Sequence, residues 1–408
     1  MLKPTNLFIL VVTYSLLLSG QLFANGYDEC QVPLIWTPDS KWVIFDDGVS
    51  MYKTENDYLK QIDDDLKKKI DELINQLGND EWEIREKATQ ELEGIGKPLL
   101  PLLKEVDTKN PEIKMRIKKI KETIESAKHN WVLLLKDGME PDLAPDGKTI
   151  VCRTKNQLMV TDIEGKNPQV IAEGEFYLPR WVDNGKNIIF SRGERFYGMD
   201  LYIIDAAGKN LKQITNTKSS ELNAHPSPDG KTIVYQYQGG SGEKQARYEI
   251  LFQMDLDKLS STQLVSYKSS EAHYDHPKWF RDGKEIYYQY GGWGEWDIYR
   301  LKIDQPDVSE KKAVKIISDG YHAHLSPDEK KIIFARPKIP KGNTPRWEMD
   351  ADIWLADIDG KNEKQLTSSE KDEISPAFSS DGKFVVYRTL DKVEGEHTES
   401  ITIIPLLK

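Results

Sequence analysis

Four of the seven histidines share one register. His225, His276, His322 and His324 stand four or six residues ahead of a recurring Asp, at Asp229, Asp282 and Asp328. Residues two apart on a β-strand face the same way, so His322 and His324 would present two imidazoles together. His225 and His276 would join them from neighbouring strands. Nitrogen donors in that arrangement suit a divalent transition metal. The same two positions carry Glu140 and Asp142 ahead of Asp146, and Asn223 ahead of Asp229. A second group pairs arginines with aromatic rings: Arg192, Arg195, Tyr197, Trp293, Trp296, Arg346 and Trp347. Exposed aromatics beside Arg are what sugar-binding and protein-binding surfaces use, although Trp296 and Trp347 would serve equally as packing between sheets. The chain has no nucleophile elbow, phosphate loop, paired-Cys motif or His-Glu-x-x-His, and no residue is assigned a catalytic role.

The elements that must position these groups come from a repeat. A turn of the form Ser-Pro-Asp-Gly-Lys, followed at once by an alternating apolar strand, recurs as Thr37-Pro38-Asp39-Ser40-Lys41, Ala144-Pro145-Asp146-Gly147-Lys148, Val182-Asp183-Asn184-Gly185-Lys186, Ser227-Pro228-Asp229-Gly230-Lys231, Arg281-Asp282-Gly283-Lys284, Ser326-Pro327-Asp328-Glu329-Lys330 and Ser380-Asp381-Gly382-Lys383. Pro presets the backbone, Asp bonds back to it, and Gly accepts a positive φ. Further along the second, third and sixth units a strand runs into an Asp-x-x-Gly turn, at Asp162 to Gly165, Asp205 to Gly208 and Asp357 to Gly360. The last of these superficially resembles a calcium loop, but the later carboxylates such a loop needs are missing, so it reads as a hairpin. Four antiparallel strands per unit cannot bury both faces alone, and radial stacking hides them. The fold class is therefore all-β, a β-propeller. Its inner strands would be those running into the Pro-Asp-Gly turn, lining a central channel, with the Arg and aromatic loops on the same face as the histidines.

The pattern Trp/Phe-Ser-Pro-Asp-Gly-Lys-x-Ile-x-Phe, then Ile-Tyr-x-x-Asp-x-x-Gly and Leu-Thr, resembles the repeat of the TolB-like propeller family. Asp352 to Gly360 with Gln365-Leu366-Thr367 matches its second half. The resemblance covers residues 30–56 and 130–408. Seven turns suggest seven blades, with six, the number in the family's namesake, as the alternative. The seventh unit lacks an outer strand after Ile401 to Pro405, so a closing strand would have to come from Asn25 to Cys30. The resemblance also extends to the oligogalacturonate lyases, propellers that hold manganese with a His-x-His and a further His. It would place His322, His324 and His276 at such a site, with Asp319 where that family has Gln. Polar residues hydrogen-bonding across the channel are the family's commoner use of these positions. The peptidases that carry such repeats match poorly, since no hydrolase domain follows.

Two segments lie outside the repeat. Residues 57–128 follow helical spacing, with Leu66, Ile70, Leu73, Ile74 and Leu77 on one stripe and Ile113, Ile117, Ile120 and Ile124 on another. Asp80 with Glu83 reads as a capping box and Asn110-Pro111 as an N-cap with a first-turn proline. This insertion, within the first blade, resembles a HEAT-like helical repeat over Ala88 to Leu103. Its last helix carries Lys114, Arg116, Lys118, Lys119 and Lys121, a solvated face or a small docking surface. Residues 1–24 read as a signal peptide, with Lys3, an apolar run from Leu7 to Phe23 and Ala24 at the cut. An uncleaved membrane anchor is the alternative. Cys30 and Cys152 could form at most one disulfide.

A net charge of −11 argues against a general nucleic-acid binder. The expectation is a periplasmic or secreted scaffold that binds a protein, peptide or other ligand through its loop face and channel. The alternative is a metal-dependent lyase on acidic carbohydrate, with Arg192 or Arg195 binding carboxylates.

Overall fold

The structure, a computed structural model, describes residues 34–56, 64–96, 98–126, 132–194, 197–239, 248–265, 273–292, 295–303, 313–338, 350–393 and 396–406. The recurring turn closes as its residues dictate. In the fourth unit Gly230 donates its N–H to the Ser227 carbonyl at 2.8 Å, with φ at +70°. The Ser227 hydroxyl donates to Asp229 Oδ1 at 2.6 Å, and Asp229 also accepts the Lys231 N–H at 3.1 Å. These donors hold the Asp229 carboxyl below the usual carboxylate range. The sixth and seventh units repeat the bonding at Ser326 and Ser379.

From each turn the chain runs back antiparallel, and seven sheets result. The first holds β1 (Ile35–Trp36), β2 (Trp42–Asp46), β3 (Met51–Glu55) and β4 (Val132–Leu135); the second β5 (Met139–Leu143), β6 (Thr149–Arg153), β7 (Gln157–Asp162) and β8 (Gln169–Glu173). The third holds β9 (Tyr177–Val182), β10 (Asn187–Glu194), β11 (Tyr197–Asp205) and β12 (Lys212–Gln213); the fourth β13 (Ser220–Pro226), β14 (Thr232–Gly239), β15 (Tyr248–Asp255) and β16 (Ser260–Gln263). The fifth holds β17 (His273–Trp279), β18 (Glu285–Gly292), β19 (Glu295–Lys302) and β20 (Val314–Ile317); the sixth β21 (Tyr321–Leu325), β22 (Lys331–Pro337), β23 (Ala351–Asp357) and β24 (Lys364–Gln365). The seventh has three described strands, β25 (Asp372–Phe378), β26 (Phe384–Val393) and β27 (Glu396–Pro405). The stretch expected to complete it, residues 25–30, lies outside the described residues. The first strands of the second to fifth sheets lie side by side, as do those of the sixth and seventh, and together the first strands form the inner wall of a seven-bladed propeller.

Blades are joined by apolar clusters and by a repeated indole bond. Trp36, Trp181 and Trp279 each stand three residues before the turn Asp or Asn. Each donates its Nε1–H to the blade before: to the Ala377 carbonyl at 3.3 Å, to that of Asp142 at 3.2 Å and to that of His225 at 2.9 Å. The Trp36 bond crosses from the first blade to the seventh and closes the ring. Leu34, Val43 and Phe45 pack there against Ala377, Phe384, Val386 and Ile401.

Between β3 and β4 the chain forms α1 (Asp64–Gln76), α2 (Trp82–Ile95), α3 (Leu99–Glu105) and α4 (Pro111–Ser126). These helices bury their own core, including Ile70, Leu77, Leu92, Leu99 and Ile120. Asn110 caps α4, accepting the Glu112 N–H at 2.9 Å. The capping box expected at Asp80 does not form. Residue Glu81 takes the cap position of α2 without a side-chain bond, and Arg85 instead claims the Asn79 and Asp80 carbonyls at 2.6 and 2.9 Å. None of the helices in the described residues is long and apolar enough to cross a membrane. Cys152 is a free, buried thiol whose titration burial pushes up to about 12; Cys30 lies outside the described residues.

Candidate functional site

The inner strands are not regular. In the second to seventh blades the pairing of the inner strand with its neighbour slips by a bulge, as between Met139 and Asp142, Leu222 and His225, Asp275 and Lys278, and Tyr321 and His324. The residue six before the turn Asp takes a left-handed backbone at each: Glu140, Leu178, Asn223, His276, His322 and Ser375, with φ between 49° and 52°. A left-handed residue breaks the two-residue alternation. Positions six and four before the Asp therefore do not present their side chains as one chelating pair, which corrects the reading of His322 and His324. His322 is buried, with Nδ1 3.4 Å from the Ser375 hydroxyl and its ring 5.8 Å from that of His276. Glu140 is likewise turned into the wall, where it accepts from Arg153 at 2.6 Å and from the Leu178 N–H at 2.5 Å.

The position four before the turn residue behaves differently. Its seven occupants, Ile35, Asp142, Arg180, His225, Lys278, His324 and Ala377, all line one cavity of about 480 Å³ in the channel. Ser326, Pro327, Ser379 and Ser380 share its wall, so the cavity lies at the end of the channel where the Pro-Asp-Gly turns are. The loops between second and third strands leave from the opposite end. His225, for instance, sits across from Val234, near the start of β14, whereas the loop follows Gly239 at its far end. The expectation that histidines and loops share one face is corrected by this register.

The ring is polar and carries positive charge. His225 and His324 sit deep in the molecule and open only to the channel; desolvation first, and then the neighbouring Lys278 ammonium, hold both imidazoles down to about 3. They are therefore neutral. Desolvation and the Arg180 guanidinium together lower Lys278 to about 8, which leaves it mostly protonated at neutral pH. Asp142 is raised by burial, with Arg180 and the Trp181 N–H, 2.8 Å away, acting against the rise. Lys278 reaches the Ala323 carbonyl at 3.4 Å and Arg180 the Pro179 carbonyl at 2.9 Å.

This set does not fit a resident metal. Among the described residues no three His, Cys, Asp or Glu side chains come together as a ligand group. His276 Nδ1 lies 2.9 Å from Asp275 Oδ2, and His324 Nδ1 accepts the Phe378 N–H at 3.3 Å. Lys278, whose field reaches both His225 and His324, would repel a divalent cation held between them.

The second expected group is not assembled in what the structure describes. Arg192 stacks its guanidinium over Phe176 and Tyr202, at 5.6 and 5.8 Å. Trp296 is half-buried in β19, opposite Gly291. Arg195, Trp293, Arg346 and Trp347 lie outside the described residues, as does the side chain of Tyr197. Arg180 and Lys278 were not among the expected residues. Reading the fourth position before the turn in all units, and not only where it holds histidine, would have found them.

The sequence profile described as the TolB beta propeller domain matches residues 134–338. An uncharacterised protein of Agrobacterium fabrum is 25% identical over 255 residues, covering 60% of this chain and 83% of that protein. Among solved structures, oligogalacturonate lyase from Vibrio parahaemolyticus is similar with a TM-score of 0.55 at 13% identity, covering 91% of this chain and 88% of that one. An oligogalacturonate lyase in complex with manganese gives 0.55 at 12% identity, covering 92% and 88%. At such identities the likeness is one of fold.

Proposed function

Since the chain belongs to the TolB beta propeller family, we propose that it is an exported binding scaffold that grips a protein or peptide with its loop face and a ligand group in its channel. The observation that carries this reading is the ring of seven side chains, one from each blade, held on inner strands around one cavity. Groups fixed on strands hold a ligand more rigidly than groups on loops. The loop face is assigned Arg192, Arg195, Tyr197, Trp293, Trp296, Arg346 and Trp347, and export is assigned to residues 1–24, whose basic start and apolar run have the form of a secretory signal.

The test uses the full chain expressed with its N-terminus intact. Mature protein recovered from the periplasm or medium should begin close after Ala24. Immobilised, it should retain a protein from envelope extract that an Arg192→Ala, Trp296→Ala variant does not. Incubated with acidic oligosaccharides and manganese, it should release no ultraviolet-absorbing unsaturated product. Product formation would replace the scaffold by a lyase acting on acidic sugars, the alternative that the likeness to oligogalacturonate lyase keeps in view.

A further inference from the structure

We infer that the cavity at the turn end of the channel is an anion site, built to take carboxylate groups between Arg180 and Lys278 with His225 beside them. The inference rests on reading the channel as a binding site and names the chemistry of what it binds. Its first ground is charge. The chain as a whole carries −11, yet three cations line this cavity: Arg281 is exposed beside Glu329, while Arg180 and Lys278, half-buried, have no ion-pair partner among the described residues. A cation partly withdrawn from water carries a cost that a neutralising partner relieves. Asp142 offsets one of the two, and a bound anion would offset the other. The second ground is placement. Arg180, His225 and Lys278 occupy the same position in three successive blades, the third, fourth and fifth, so their heads converge from adjacent strands at one level of the channel.

The third ground is the donor set. A guanidinium and an ammonium offer donors only, and the guanidinium fork matches a carboxylate's two oxygens. His225 Nδ1 is buried without a well-formed hydrogen bond, the Pro226 carbonyl being the backbone group that favours its proton. A neutral imidazole can donate from one nitrogen, and that proton would complete the shell of an oxyanion. Ser326, Ser379 and Ser380 lie at the mouth. The register expected to assemble a metal site has Lys278 at its centre, and that one residue reverses the sign of the ligand. The Asp142 carboxylate sits in the same wall and opposes an incoming anion, so its removal should help.

Isothermal titration calorimetry on the full chain at low salt tests this, with citrate, an acetylated triglutamate amide and uncharged succinamide as probes. Citrate or the acidic peptide is expected to bind and succinamide to give no heat. Arg180→Gln and Lys278→Gln should each weaken binding at least tenfold, whereas Asp142→Asn should strengthen it several-fold. Opposite responses to conservative changes in one ring cannot come from loss of folding. Tighter binding of the peptide than of citrate assigns the carboxylates to an acidic peptide, and the reverse to a small polyacid. Silence from both anions with the wild-type chain, equal affinity in all three variants, or one equivalent of bound manganese lost on replacing the channel histidines would overturn the inference. If the anions fail while the loop-face partner is still retained, the scaffold reading stands without it.

Discussion

At the scale of the residue, the channel is a place where burial decides protonation. His225 and His324 are held neutral by desolvation in the channel wall, which half-buries them, and by the nearby Lys278 ammonium. Their ring proton shifts are accordingly expected to stay flat between pH 5 and 8 by NMR. Lys278→Met should move both upward while leaving them below the ordinary imidazole value, since the larger cause, desolvation, remains. Titration of either near pH 6.5 in the wild-type chain would show that they face open water. Glu221 supplies a pH dependence of folding. It is buried beside Asp200, and desolvation is the first reason its carboxyl is pushed up to about 7, against the Thr217 and Thr215 hydroxyls that donate to it. A raised acid binds its proton more tightly folded than unfolded. The stability this contributes is present below the unfolded value near 4.5 and is lost as pH rises through 7. At about 1.4 kcal/mol per pKa unit, the Glu221→Gln variant should lose on the order of 2–3 kcal/mol less than the wild type between pH 4.5 and 8.5 in denaturant melts. Equal losses would contradict the assignment. The histidine column was legible in the sequence because imidazoles are rare and stand out. Arg180 and Lys278 were not, since a single cation in one unit looks like surface until the column is read across every blade.

At the scale of the element, the turn chemistry was legible and the bulge was not. Pro-Asp-Gly spacing announces a tight turn, whereas nothing in Tyr177-Leu178-Pro179-Arg180 signals a left-handed leucine. The bulge is imposed by packing against the preceding blade: the Leu178 N–H is spent on Glu140, and that of His322 on Gln289 at 3.1 Å. A left-handed non-glycine residue costs roughly 1–2 kcal/mol. Leu178→Asn is thus expected to leave the melting temperature unchanged or higher, and β-branched Leu178→Val to lower it. A stabilising valine would mean the strand is regular in solution. The Asp-x-x-Gly turns have a use the sequence only hinted at. Gly360, at φ +80°, sits where a Cβ would lie 1.9 Å from the Ile316 carbonyl oxygen in the outer strand of the preceding blade. Gly208 and Gly165 meet Ile171 and Leu134 in the same way. Gly360→Ala should therefore cost at least about 2 kcal/mol in urea unfolding, much more than the same change at the open position Gly94. The helices were legible from their stripes. Their core draws on no described residue of the propeller, so joining Asn56 to Val132 by a short hairpin loop should remove the helical circular dichroism and preserve a cooperative melt of the sheets.

At the scale of the whole molecule, seven blades were countable from seven turns, because each sheet needs one bend between its first two strands. Ring closure was less readable. The seventh sheet has three described strands, and side chains bind it to the first: Trp36 to Ala377, the Ser380 hydroxyl to the Thr37 carbonyl at 3.0 Å, and Arg388 to the Asp46 carbonyl at 2.8 Å. These contacts are long-range in sequence and leave no local signature. What the closed ring achieves is convergence, setting one residue per blade at one level of a channel whose charge is opposite to that of the chain. Crystals of the full chain soaked in bromide, measured at the bromine absorption edge, test that claim most directly. The account predicts an anomalous peak in the channel between Arg180 and Lys278, weakened in crystals of Lys278→Gln. A channel empty of bromide, with manganese bound among His276, His322 and His324 in a parallel soak, would contradict it.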